Sequence, residues 1–339
     1  MQDQSYGAPR SARVNKRKLI SLFGVAAVLP LAARAQQQPI PVIGFLHAGS
    51  PESNVKLVPA FRKGLSEAGY VEGRNVTIEY RWAAGRDDRL PELAADLVRR
   101  KVAVIATPGT TQAALAAKAA TTTIPIVFST GADPVALGLV DSFNRPAGNV
   151  TGIVNTSAQL AGKRLGLLRE LVPRTTRFAV LVTRSGPLTQ GTLKDLHAEA
   201  PQLGLPVEIL YADTAGEIDA AMAQLAENSG ASLMVGPDAL LTNLRAQVVA
   251  LAAQHAVPTV YSVREFAEAG GLLSCGPNFV STYEQVGAYA GRILKGEKPS
   301  ELPVMQASKF ELVLNLKAAR ALGVDVPDKL LALADEVIE

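Results

Sequence analysis

From Pro41 onward, short β-branched runs alternate with segments of helical period. Val42-Ile43-Gly44-Phe45-Leu46, Val76-Thr77-Ile78-Glu79-Tyr80, Val102-Ala103-Val104-Ile105 and Ile124-Pro125-Ile126-Val127-Phe128 predict strands. Between them Val58, Phe61, Leu65 and Ala68 recur at spacings of 3 and 4, as do Leu90, Leu93, Ala94 and Leu97, so each set lies on one helix face. Strands alternating with helices of this length predict βα units on a parallel sheet. The strands are apolar nearly throughout, as expected when helices cover both faces of a sheet.

The second half repeats the scheme. Val207 to Gly216 echoes Val76 to Gly85, Leu233 to Pro237 with a helix from Leu241 echoes Val104 to Pro108 with a helix from Thr111, and Val257 to Ser262 echoes Ile124 to Ser129. The offsets are 131 (Tyr80 to Tyr211), 129 (Pro108 to Pro237) and 133 (Pro125 to Pro258). Three matches in one order at nearly one offset predict two structurally similar doubly wound α/β lobes. The chain switches lobes near Gly148-Asn149-Val150-Thr151-Gly152 and again near Gly270 to Phe279. The helix Tyr283 to Leu294 is expected on the first lobe and the strand Phe310 to Leu314 on the second. One lobe then comprises residues 36–153 with 277–305, the other 154–276 with 306–339, and the several connections form a hinge.

The segment before this pattern has a different character. Residues 1–35 hold a basic stretch from Arg13 to Lys18, an uncharged run of 15 residues from Leu19 to Ala33, and Ala33-Arg34-Ala35 before a Gln triplet. That order describes a secretory signal peptide, with the mature chain starting near Gln36. A permanent anchor needs about 20 apolar residues, more than this run supplies. Lys16-Arg17-Lys18-Leu19-Ile20 is similar to a twin-arginine signal with Lys for the first Arg, which leaves twin-arginine and general secretory export both open. No Cys flanks the cleavage site, and the single Cys275 excludes an intramolecular disulfide.

The leader also changes the meaning of the charge. The 339 residues carry 34 Lys and Arg against 31 Asp and Glu, a formal +3. Residues 1–35 hold six of the bases and one of the acids, leaving 28 basic and 30 acidic groups in residues 36–339. A near-neutral mature chain gives no support to a nucleic-acid partner. At 48% hydrophobic and 19% charged residues it has an ordinary globular composition.

In open parallel sheets ligands bind beyond the carboxyl ends of the strands. Those ends carry Ser50 in His47-Ala48-Gly49-Ser50-Pro51, Thr107, Thr110 and Thr111 around Pro108-Gly109, and Ser129-Thr130. The second half contributes Thr183-Arg184-Ser185-Gly186, Asp238, Tyr261 and Phe279. Hydroxyls and helix N-termini suit an anionic group such as a carboxylate. Thr110 and Thr111 are read either as ligand donors or as helix caps, and Asp238 either as counter-charge to an ammonium or as an N-cap. Tyr261 and Phe279 either stack on a ligand or belong to the core. His47, His197 and His255 stand alone without zinc-ligand spacing, and no GxSxG, GxGxxG or Walker-type loop occurs. No cofactor and no metal site is expected.

Several stretches together resemble the ABC transporter substrate-binding proteins grouped with tryptophan and tyrosine uptake systems. They are Pro30 to Gln36, Gly64-Leu65-Ser66-Glu67-Ala68-Gly69-Tyr70-Val71-Glu72-Gly73, Ile78 to Ala83 and Leu90 to Val98. Asp133-Pro134-Val135, Arg145 to Gly152 and Lys309-Phe310-Glu311-Leu312-Val313-Leu314-Asn315 complete the set, spanning essentially the whole mature chain. The resemblance implies a type 1 periplasmic-binding fold and no enzymatic activity. It implies a monomeric periplasmic receptor that takes an amino acid or carboxylated organic compound in the interlobe cleft and delivers it to an inner-membrane permease. Hydroxyls of the Thr107–Thr111 and Ser129–Thr130 loops would then hold a ligand carboxylate, and Asp238 the ammonium. Arg184 departs from the neutral loop of many relatives and would partner an anionic ligand. A sensory receptor for a membrane kinase, distinguishable by a neighbouring kinase gene, and an exported enzyme, distinguishable by turnover, are the alternatives.

Overall fold

The β-branched runs become parallel strands and the periodic segments become the helices between them. In the computed structural model, which describes residues 39–227 and 230–339, the first half runs β1 Val42–His47, α1 Leu57–Glu67, β2 Thr77–Trp82, α2 Leu90–Arg99, β3 Val104–Thr107, α3 Thr111–Ala120, β4 Ile126–Thr130 and β5 Val150–Val154. It continues with α4 Ala161–Leu171, β6 Arg177–Val182, α5 Thr189–Leu203, β7 Val207–Tyr211, α6 Ala215–Ala226, β8 Ala231–Val235, α7 Ala239–Asn243, α8 Arg245–Gln254, β9 Thr259–Tyr261, α9 Arg264–Glu268 and β10 Leu273–Pro277. The chain closes with α10 Phe279–Leu294, β11 Met305–Gln306, β12 Phe310–Asn315, α11 Leu316–Ala321, α12 Asp328–Leu333 and β13 Glu336–Ile338. The signal segment expected over residues 1–35 lies outside the described residues.

Among the described residues the strands form two sheets, ordered β11-β5-β4-β3-β1-β2 and β13-β12-β10-β9-β8-β6-β7. The first is parallel throughout, and the second is parallel except for β12 against β10. Within them β2-β1-β3-β4-β5 and β7-β6-β8-β9-β10 have the same order, so the fold is two doubly wound α/β lobes built on one plan. Tyr80 and Tyr211 sit on β2 and β7, and Pro108 and Pro237 follow β3 and β8. Each pair falls on, or just after, equivalent strands of the two sheets. The sheets belong to one compact unit, residues 40–339.

Each sheet buries both faces. On one side of the first sheet Ile43, Phe45, Val104, Ala106 and Val127 pack against Phe61 and Leu65 of α1 and Val286 and Ile293 of α10. On the other side Leu46, Ile105, Ile126 and Phe128 meet Leu90 and Leu97 of α2 and Ala113 and Ala117 of α3. Successive residues of one strand thus feed opposite layers, which is why the strands read as unbroken apolar runs. The second sheet repeats this arrangement, with Leu181, Leu233 and Val235 on one face and Val180, Val182 and Met234 on the other.

Helix α10 reaches the first lobe from far along the chain. A Cβ on Gly64 would collide with the Glu284 carbonyl, and one on Gly287 with the Phe61 carbonyl, so two glycines let the backbones of α1 and α10 approach closely. The helix begins one turn before the expected Tyr283, because the Asn278 side chain accepts from Ser281 N–H at 2.8 Å and caps it at Phe279. That added turn carries Phe279 into the region between the two sheets. The helix expected from Leu241 is divided at Leu244 into α7 and α8.

Candidate functional site

The carboxyl ends of the two sheets face a common cavity of about 150 Å³. Its walls come from the tips of β1, β3 and β4, from β8 and β9, from the connection after β5 and from the start of α10. In both lobes the strand order reverses between the first and third strands, and the cavity opens at those two switch points.

At the tip of β1, His47 is buried beside Trp82, Tyr283 and Phe45, with ring centres 5.3, 6.4 and 6.2 Å away. Its Nδ1 accepts from Gly49 N–H at 2.8 Å, which fixes the single ring proton on Nε2. Nε2–H then donates to Tyr283 Oη at 2.9 Å, and the phenol donates to Asn54 Oδ1 at 2.8 Å. Asn54 Nδ2 in turn donates to the Ser50 carbonyl at 2.9 Å. Burial pushes the imidazole down to about 3, so the ring is neutral, and burial pushes the Tyr283 phenol well up. The chain ties α10 to the β1 loop through groups 236 residues apart.

The β3 tip presents a different chemistry. Gly109 adopts φ +81°, where a side chain is strained, and a Cβ there would stand 2.6 Å from Tyr283 Oη. Its N–H donates to Ser129 Oγ at 2.6 Å, and Thr111 and Thr130 share a hydroxyl contact of 2.8 Å. Thr130 Oγ1 also accepts from Ala132 N–H at 3.1 Å. Thr110 is the N-cap residue of α3, yet its side chain makes no capping bond. It lines the cavity at 8% exposure with its hydroxyl buried and unpartnered. Capping therefore does not account for Thr110, and the first-turn N–H groups of α3 lie beside it at the positive end of the helix dipole.

In the second lobe Asp238 also lines the cavity. One oxygen accepts from Leu240 N–H at 2.7 Å, capping α7, and the other from the Thr183 hydroxyl at 3.0 Å. Burial raises its carboxyl above the usual range despite these bonds. Asp87 from the first lobe is raised as well, by burial and then by the Asp238 charge. Two carboxyl groups from opposite lobes thus sense each other's charge.

Of the residues singled out from sequence, Thr110, Thr111, Asp238 and Phe279 come together on the cavity wall. Ser129 and Thr130 stand behind it, holding Gly109 and Thr111. Thr107 is buried in β3 with an unpartnered hydroxyl and does not line the cavity. Ser50 lines an adjoining depression shared with Gly85 and Asn243 instead. Tyr261 is a core residue, stacked on Phe266 with ring centres 4.7 Å apart. Arg184 is drawn away from the cavity by Asp213 and Glu217, which take its guanidinium at 2.7 and 2.8 Å and hold it firmly charged. Its partners lie on the neighbouring β7 side of β6, invisible to a reading of the β6 loop alone.

The cavity also gathers residues that no motif announced, including His47, Asn54, Asn155, Ser157, Arg245 and Glu265. Asn155 and Ser157 lie in the connection after β5, where buried Arg164 donates to the Ser157 carbonyl at 3.1 Å and to the Cys275 carbonyl at 2.8 Å. Among the described residues no cluster of three or more His, Cys, Asp or Glu is placed to hold a metal, and no helix is long and apolar enough to cross a membrane.

Comparison with known proteins agrees with this architecture. The family model of the ABC transporter substrate binding protein matches residues 40–338, which takes in every strand and helix described above. A tyrosine-binding protein of Clostridioides difficile (strain R20291) is 28% identical over 273 residues, 79% of this chain and 77% of that one. A conserved domain protein of Vibrio cholerae superposes with a TM-score of 0.82 at 25% identity, over 88% of this chain and 99% of its own. The ABC domain of Streptococcus pneumoniae in complex with L-Trp superposes at 0.80 with 26% identity and the same coverage. The shared architecture is the type 1 periplasmic binding protein fold. The chain belongs to the ABC transporter substrate-binding protein family.

Proposed function

We propose that the cavity binds an amino acid, and that the protein is the extracytoplasmic receptor of an ABC importer, exported by its N-terminal segment and handing its ligand to an inner-membrane permease. The observation that carries this reading is Thr110, a residue of the cavity wall whose buried hydroxyl has no partner at the N-terminus of α3. A ligand carboxylate there would accept from the hydroxyl and from the first-turn N–H groups, an arrangement favoured by the helix dipole. Asp238 lies on the wall contributed by the other lobe and would face the ammonium. Lys56 and Glu268, paired across the lobes at 3.0 Å, would make and break as the lobes close and open. The lobes would be residues 36–153 with 277–305 and 154–276 with 306–339, moving about the connections after β5, β10 and β11. Contacts to both lobes shift the population toward the closed form. The tyrosine-binding relative and the L-Trp complex support an aromatic amino acid.

Titration calorimetry of the mature protein with L-tryptophan and L-tyrosine tests this. Saturable binding of at least one is expected, and binding of neither would refute it. Asp238→Asn keeps the capping oxygen and removes the charge, so affinity should fall about tenfold or more, as for loss of a charge-assisted hydrogen bond of ~1.5–3 kcal/mol. Unchanged affinity in that variant would remove Asp238 from the site.

A further inference from the structure

The cavity holds a carboxyl group that the reading above leaves unused. Glu265 is the second residue of α9, beyond the carboxyl end of β9, and lines the cavity with Val263, Phe279 and Tyr283. Its Oε2 is buried and has no hydrogen-bond partner. Among the described residues Glu265 forms no ion pair. Arg245, which lines the same cavity, donates to the Thr242 carbonyl at 3.1 Å. Asp238 differs, because both of its oxygens have partners within the protein.

An unpartnered buried acceptor costs about 1–3 kcal/mol, and a ligand that brings the missing donor recovers it. The placement says which part of the ligand that is. Asp238 follows β8 and Glu265 follows β9, its neighbour in the sheet, so the two carboxyls stand on adjacent loops of one lobe. A ligand whose amino group faces Asp238 and whose ring lies along Phe279 and Tyr283 would turn its far end toward Glu265. Glu265 and Tyr283 line the same cavity.

We propose that Glu265 is the specificity-determining acceptor of the cavity, taking a hydrogen bond from an N–H or O–H donor on the ring end of the bound amino acid. The assignment rests on the amino-acid reading. It makes a ring that carries a donor the preferred ligand, because a plain ring leaves the buried oxygen unpaired.

Calorimetry with L-tyrosine, L-tryptophan, L-phenylalanine and 3-(4-hydroxyphenyl)propionate, on the wild type, Glu265→Ala and Glu265→Gln, tests the assignment. The wild type should prefer L-tyrosine or L-tryptophan over L-phenylalanine by about tenfold or more. Glu265→Ala should erase that preference with affinity for L-phenylalanine little changed. Glu265→Gln, which keeps an acceptor oxygen and the same size, should retain part of it and serves if the alanine variant does not fold. Equal weakening toward all three amino acids, or an unchanged preference, would overturn the assignment. So would loss of discrimination against the propionate, which lacks the ammonium, in place of discrimination against L-phenylalanine. If the wild type binds the three amino acids without distinguishing them, only the assignment fails; if it binds none, the amino-acid reading fails and the assignment with it.

Discussion

Acidification should loosen the first lobe through one ring, His47. Burial lowers its pKa from 6.5 to about 3, while the same ring in the unfolded chain protonates near 6.5. Between these values the unfolded state binds a proton that the folded state refuses, so stability rises with pH across the window and falls as pH drops below about 6.5. The limiting slope is about 1.4 kcal/mol per pH unit, which gives a loss of roughly 2 kcal/mol between pH 7.5 and pH 5. The geometry supplies the cause. Nδ1 already accepts from Gly49 N–H, so a proton placed there would face another donor at 2.8 Å and break the chain that runs through Tyr283 to Asn54.

The assay has its own reporter. Trp82 is the single tryptophan and lies 5.3 Å from the His47 ring, so its fluorescence follows the unfolding of this lobe in guanidinium. Burial also raises the carboxyls of Asp238, Glu265 and Glu311, and these oppose the His47 slope because the folded state holds their protons more tightly. Comparing the ligand-free wild type with His47→Gln removes that shared background. The variant should be less stable at pH 7.5 but lose about 2 kcal/mol less on going to pH 5. Parallel pH dependence in the two proteins would refute the assignment of the buried neutral ring.

Two further outcomes follow from single features of the structure. Thr110→Val removes a hydroxyl with no partner, so the melting temperature should hold or rise while affinity for L-tryptophan or L-tyrosine falls about tenfold; a lower melting temperature with unchanged affinity would show that the hydroxyl serves the fold. Gly287→Leu drives a side chain into the Phe61 carbonyl and should destabilise the protein by about 1–3 kcal/mol in guanidinium unfolding, with a wild-type midpoint counting against the close contact of α1 and α10.

The architecture was legible because it is written in local patterns. Apolar runs of four to six residues and helices of period 3.6 alternate along the chain, and a rule of chirality and connection length converts that alternation into parallel sheets. The echo of Tyr80 in Tyr211 and of Pro108 in Pro237 carried more, since equivalent strands of two like lobes need equivalent chemistry at their edges and tips. The tips also named loops that the fold brings to the cavity, where Thr110, Thr111 and Asp238 stand on its wall.

Which side chain of a loop turns into the cavity depends on facts that are not local. Tyr261 ends β9 and Glu265 follows it by four residues; Tyr261 stacks on Phe266 in the core, whereas Glu265, in the first turn of α9, lines the cavity with Tyr283. Arg184 sits at a strand tip and is removed from the site by Asp213 and Glu217, about thirty residues on in sequence but adjacent in space because β6 pairs with β7. His47 gains its role only when α10 docks on α1 and brings Tyr283 within 2.9 Å of it. Arg184, His47, Thr110 and Glu265 each carry a polar group that their own segment leaves at least partly without a partner. Where the fold supplies a partner, as for Arg184 and His47, the group becomes structural. Where it supplies none, as for the Thr110 hydroxyl and Glu265 Oε2, a buried group is held at a cost of about 1–3 kcal/mol that only an outside donor or acceptor can offset, and both residues line the same cavity.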